Sequence, residues 1–232
     1  QQSQSINQRL QLNNISALRK NERSRLLSIL RTASDTPVVV EVVGNRGNGK
    51  STMVKSCFAA YDDVLFACST FNEGCIVEPL RAMKHIFVEL CKQAAASFRV
   101  SKYLEVLANE ELISDCQLCA LLKFEPESSV LLSRIQRKIH ESEGNGTVQR
   151  DSWSQSQTAL LKFISILTNV SPVVILVDNA TSSDFLSLET LQLVLSDDSM
   201  KNLLVCIAYG DDELSMSPNL VKWRNDAIRK TA

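Results

Sequence analysis

Gly44-Asn45-Arg46-Gly47-Asn48-Gly49-Lys50-Ser51 reads G-x-x-x-x-G-K-S, the pattern of a phosphate-binding P-loop, or Walker A motif. Upstream lies Val38-Val39-Val40-Glu41-Val42-Val43, a β-branched run after Thr36-Pro37 that predicts a buried strand. Downstream, Thr52 to Ala60 contains no breaker and predicts a helix. Strand, glycine-rich loop and helix in that order give the match a mechanism. Glycines let the backbone bend tightly, so that successive N–H groups point inward at phosphate oxygens. The helix start adds the positive end of its dipole. The pattern assigns residues Gly44 through Thr52 to nucleotide binding: Lys50 reaches the β- and γ-phosphates, and the Ser51 hydroxyl helps to hold Mg²⁺. Four fixed positions match by chance in roughly one chain in a hundred of this length. The correct flanks make chance rarer still.

Phosphate binding needs a second half before hydrolysis follows. Val173-Val174-Ile175-Leu176-Val177-Asp178 is a fully apolar run ending in an acid, the Walker B feature that helps hold Mg²⁺. An Asp ending a strand is, taken alone, as readily a turn residue or a helix cap. With a P-loop upstream it reads as the second metal ligand, so Ser51 and Asp178 are the Mg²⁺ residues. Many such ATPases carry another acid at the next position, which orients or deprotonates the attacking water. Here that position, the candidate catalytic one, is Asn179. An amide can hydrogen-bond a water but cannot take its proton, so hydrolysis is expected to be slow or absent. An acid restored at 179 is expected to raise turnover. Glu41, inside the P-loop strand, faces sideways and is a poor replacement.

The rest of the chain alternates strand and helix. Residues 1–14 are Gln/Asn/Ser-rich and read as a tail or linker before a domain spanning 15–232. A turn near Arg19–Glu22 and a helix to about Arg31 precede the first strand. Val64–Ser69 reads as a second strand. Glu78-Pro79 opens a long helix with apolar residues at 80, 83, 86, 87, 90 and 94. One or two helices over 101–123 and another over 128–140 complete a helical insertion at about 77–142, and 143–147 is a loop. Gln155–Asn169 is helical, Ser183 or Asp184 caps a helix to about Leu195, and Leu203–Ala208 is a fourth strand. A polar stretch from Asp211 ends in a short helix. Four apolar strands separated by helices predict a three-layer α/β sandwich with a parallel sheet, its site at the strands' carboxyl ends. The P-loop and Asp178 both fall there.

Bulk properties exclude several classes. The chain has 232 residues, 44% hydrophobic and 22% charged, with net charge −1, as in an ordinary globular protein without a bulk pull toward nucleic acid. No run of about 18 apolar residues exists, so no membrane-spanning helix is expected. The absence of an initiator Met and of a signal peptide suggests a segment of a longer protein or a processed chain. Seven cysteines, with Cys57, Cys68, Cys91 and Cys206 in apolar surroundings, suit buried reduced thiols and a cytoplasmic location. Cys116-Gln117-Leu118-Cys119 has no second pair at zinc spacing and reads as helix core.

The segment Asp178-Asn179-Ala180-Thr181-Ser182-Ser183-Asp184-Phe185-Leu186-Ser187-Leu188 resembles the D-D-L-Q-W-A-D-x-x-S-L segment of AAA/STAND-type predicted ATPases, the origin-recognition-complex-like AAA domains of large signalling proteins. Tyr209-Gly210-Asp211-Asp212-Glu213 is similar to their Y-R-D-N-E segment, and Leu18-Arg19-Lys20-Asn21-Glu22 to G-R-E-x-E. The resemblance covers residues 15–215. It implies ATP rather than GTP, a switch or scaffold role beside further domains or protein partners, nucleotide-dependent oligomers, and the strand order P-loop strand, fourth, third, second. A fifth strand normally flanks the P-loop strand. No candidate for it follows Asp211, so the core reads as truncated on that edge, without its lid. Asn179 stands for the second acid, Ser182 for the Trp and Gly210 for the Arg; loss of acid and Arg together weakens water activation and charge stabilisation.

Two other classes use the same loop. A DNA-associated replication ATPase needs a basic winged helix or patch, and Trp223 with Arg224 supplies too little of one. A P-loop phosphotransferase needs an acceptor site and an Arg-rich lid; His85 and His140 are isolated on helices.

Overall fold

Apolar runs with no polar alternation can be buried on both faces, and the chain uses two of them as the centre of its sheet. The computed structural model describes residues 19–71, 80–107, 153–197, 199–211 and 217–231. Within them lie α1 (Lys20–Thr32), β1 (Val38–Val43), α2 (Lys50–Phe58), β2 (Leu65–Thr70), α3 (Arg81–Ala96), α4 (Val100–Leu107), α5 (Trp153–Val170), β3 (Val173–Asp178), α6 (Phe185–Ser196), β4 (Leu203–Tyr209) and α7 (Pro218–Thr231). The four strands are all parallel, in the order β1-β4-β3-β2 that the family resemblance implies.

β3 and β4 are buried throughout, apart from Asp178. Alternate side chains leave the sheet on opposite faces, so each strand feeds two cores. Val174, Leu176, Leu204, Cys206 and Ala208 pack with Leu26 of α1 and with Val54, Cys57 and Phe58 of α2. Val173, Ile175, Val177, Leu203, Val205 and Ile207 pack on the other face with α3, α5 and α6. There the Phe87 and Phe163 rings meet edge to face at 4.9 Å. Each buried aliphatic side chain favours folding by about 1.5–3 kcal/mol, so the two central strands carry much of the stability. The carboxyl ends of β2, β3 and β4 stay level, because Thr70 pairs with Asp178 and Asp178 with Ala208.

Several boundaries differ from expectation. The turn expected at Arg19–Glu22 is helix from Lys20, and the Arg19 carbonyl accepts from the Arg23 N–H at 3.1 Å. The charged residues there are solvated on the outer face rather than breaking the helix. The terminal helix is longer than expected at 14 residues, because Pro218 suits a first turn and Leu220 and Trp223 anchor it in the core. Of the expected insertion, α3 and α4 are described; the remainder, with the tail at 1–14, Glu78-Pro79, the loop at 143–147 and Cys116–Cys119, lies outside the described residues. No helix among the described residues is long and apolar enough to cross a membrane.

The outer side of β2 is closed by side chains. The Phe66 N–H donates to Gln93 Oε1 at 2.7 Å, and Gln93 Nε2 donates back to the Phe66 carbonyl. His85, two turns earlier on α3, donates through Nδ1 to the Cys68 carbonyl at 3.0 Å. No strand among the described residues pairs with the outer side of β1. Cys57, Cys91 and Cys206 are buried free thiols and Cys68 is half-buried. Burial pushes the Cys206 thiol up to about 12, which makes it inert packing at neutral pH.

Candidate functional site

The P-loop bends where the sequence places glycine. Gly47 and Gly49 have φ of 81° and 72°, a left-handed conformation that L side chains avoid. A Cβ at either would meet nothing within 4 Å, so glycine is needed there for its backbone and not for room. Gly49 leads directly into α2, whose N-terminus carries no side-chain cap. The first turn of α2 therefore presents its N–H groups to whatever lies in front of it.

What lies in front is a cavity of about 630 Å³ at the carboxyl ends of the strands. This volume is within the range of small-molecule sites. One wall consists of Arg46, Gly47, Gly49, Lys50, Ser51, Thr52 and Lys55; the other is made by Thr70 and Phe71 after β2, Asp178 and Asn179 at the end of β3, and Ala208 to Gly210 at the end of β4. Three cationic side chains face one acid across this space, a balance suited to a polyphosphate. Gly44, Asn45 and Asn48, also assigned to binding by the motif, are not on the wall. Their carbonyls turn to other tasks: Lys50 Nζ donates to Gly44 O at 2.6 Å and Asn45 O at 3.0 Å, and Arg19 donates to Asn48 O at 2.6 Å. Arg23 donates to Ser56 O at 3.1 Å, so α1 straps both ends of α2.

Ser51 and Asp178, far apart in the chain, line the same cavity. A hydroxyl and one carboxylate are hard oxygen donors that suit Mg²⁺, which takes few protein ligands and completes its shell with phosphate and water. Asp178 Oδ1 accepts the Asn179 N–H at 3.0 Å, which orients the carboxylate. Asn179 is left-handed, at φ 55° and ψ 48°. Its carboxamide is engaged at both ends: Nδ2 donates to Phe71 O at 2.7 Å and to Ser182 Oγ at 3.4 Å, and Oδ1 accepts from Thr181 Oγ1 at 3.4 Å.

Beyond the motifs, Asp184 and Ser187 explain the D-x-x-S spacing. Asp184 is the N-cap of α6, accepting from Ser187 N at 2.8 Å and Ser187 Oγ at 2.6 Å. The same carboxylate accepts Leu80 N at 3.2 Å, tying the start of α3 to the start of α6. Glu41 lies away from the cavity, as its sideways position implies. It accepts from Arg224 Nε at 2.6 Å on the α7 face. Burial, and then the Glu41 carboxylate, push the Tyr209 hydroxyl up to about 12. Lys55, Thr70 and Phe71 escaped the motif reading. Lys55 was within reach, one helical turn after Ser51 on the same face; Thr70 and Phe71 become wall residues only through the pairing of β2 with β3.

A parallel sheet in this order, with an uncapped helix and a glycine turn facing an acid at the end of a buried strand, defines a P-loop nucleoside-triphosphatase-type domain. A family model described as AAA ATPase domain matches residues 17–206, and the chain belongs to that family. A comparison with curated proteins gave no match.

Proposed function

We propose that this chain binds ATP with Mg²⁺ and acts as a nucleotide-dependent switch, or a slow ATPase, within a larger regulatory protein. The observation that carries this reading is the shared cavity: the α2 N-terminus, Lys50 and Asp178 face one space of ligand size. Lys50 and the loop N–H groups hold the phosphates, while Ser51 and Asp178 hold the metal. Held by Ser51 and Asp178, Mg²⁺ would supply neutralising charge at the phosphates. Lys50 exchanges the Gly44 and Asn45 carbonyls for phosphate, which releases two contacts that fix the loop. Arg19 joins that loop to α1, and so a change in the loop reaches a helix that other domains or partners can read. Such a switch works by differential affinity for two states. Nucleotide-dependent oligomers and a cytoplasmic setting belong to the same proposal, the first from the family resemblance and the second from the reduced cysteines; ATP is favoured because the sequence has no N/T-K-x-D run to read guanine.

Calorimetric titration with ATP and with GTP, each with Mg²⁺ and with EDTA, tests the reading. Binding of ATP, strengthened by Mg²⁺, is expected; a folded protein that binds neither nucleotide would sink it.

A further inference from the structure

In a parallel ladder, a residue donates its N–H to one partner residue and accepts at its C=O from the residue two further along. Phe71 follows this rule halfway. Its N–H donates to Asp178 O at 3.1 Å, which calls for the N–H of Ala180 at the Phe71 carbonyl. The chain cannot deliver it, because it turns left-handed at Asn179. Asn179 Nδ2 stands there instead, 2.7 Å from Phe71 O. We propose that Asn179 is a positioning residue: its carboxamide supplies the rung that the turn removes, and so fixes Phe71 and the β2 end of the nucleotide cavity. Two observations beyond the distance support this. Asn adopts the left-handed region more readily than other non-glycine residues, and the opposite end of the amide is held by Thr181. An ionised carboxylate has no donor for Phe71 O. The position therefore demands an amide on grounds separate from catalysis, and restoring an acid removes the rung. On this proposal an acid at 179 brings no gain in turnover, the opposite of what the missing-acid argument expects.

The ligand side of this inference rests on the ATP reading; the rung does not. Hydrogen exchange of the nucleotide-free protein, followed on peptides covering 65–71, reads the rung through the adjacent Phe71 N–H, which is bonded to Asp178 O. Asn179→Asp and Asn179→Ala are each expected to speed exchange there about threefold or more, with the β1 and α1 peptides unchanged. Both variants should weaken ATP about three- to tenfold, the range of one neutral hydrogen bond, with no gain in kcat. Thr181→Val, which leaves the donor in place and removes only the longer contact at Oδ1, should produce clearly smaller changes in both. Unchanged exchange in the Ala variant, or the same losses from Thr181→Val, overturns the proposal. So does a tenfold rise in kcat at unaltered KM in the Asp variant, which would make position 179 a vacant seat for a base. Failure of the ATP reading would leave the exchange result intact, and failure of the rung would leave ATP binding intact.

Discussion

The two walls of the cavity are built on different principles. The P-loop wall comes from one short stretch between Arg46 and Lys55, and offers backbone N–H groups and three cationic side chains. The facing wall comes from three strand ends, and its polar side chains are tied to neighbouring groups: Asn179 to the Phe71 carbonyl and the Thr181 and Ser182 hydroxyls, and the Asp178 carboxylate to the Asn179 N–H. One wall is disposed toward a ligand, and most of the other is disposed toward holding its own shape. Grip and chemistry are separable in such a site, because the anion cradle needs only the first wall while water activation needs the second.

Four substitutions test that division. Lys50→Ala strikes the gripping wall and should weaken ATP about a hundredfold in a fluorescent-nucleotide titration, the scale of a charge-assisted bond to phosphate. A loss no greater than that from the facing-wall variants would break the comparison. Asp178→Asn should weaken binding about tenfold in Mg²⁺ and leave binding in EDTA unaltered. An equal loss in both media would mean that the acid serves the wall and not the metal. Asp184→Ala removes the cap of α6 and its tie to Leu80, and should destabilise the fold by about 1–2 kcal/mol in chemical denaturation, with ATP affinity of the folded protein retained. The smallest effect is expected from Tyr209→Phe. A hydroxyl held protonated to about 12 contributes stability that is whole below the ordinary tyrosine range, near 10, and fades as pH climbs toward about 12. The Phe variant should therefore melt with a shallower alkaline decline; identical slopes would show that Tyr209 does not titrate late.

Much of this was legible in the residues because it is local. The P-loop, its flanks and the run Val173–Asp178 are contiguous, and each carries its own stop signals. Strand order came from family resemblance, since periodicity does not say which strands are neighbours. The role of Asn179 was not legible. It depends on the register that sets Thr70 against Asp178, and that register joins segments more than a hundred residues apart. Reading 179 as the place of a missing acid was sound chemistry, but the residue also answers to a carbonyl that only the folded chain brings near. The turn assigned to Arg19–Glu22 failed for a simpler reason. Clustered charges look like a loop in sequence, yet they sit comfortably on the wet side of a helix.

The treatment of the sheet's two outer strands has a consequence for growth. Gln93 and His85 occupy hydrogen-bonding positions along β2 that an added strand would need, so extension there must first displace α3. β1 carries five valines in six residues with no proline or glycine, and no strand among the described residues covers its outer side. Its single charge, Glu41, is drawn onto the α7 face by Arg224. Among the described residues the two ends of the sheet are thus unlike, and a strand added at β1 would lie beside the phosphate loop.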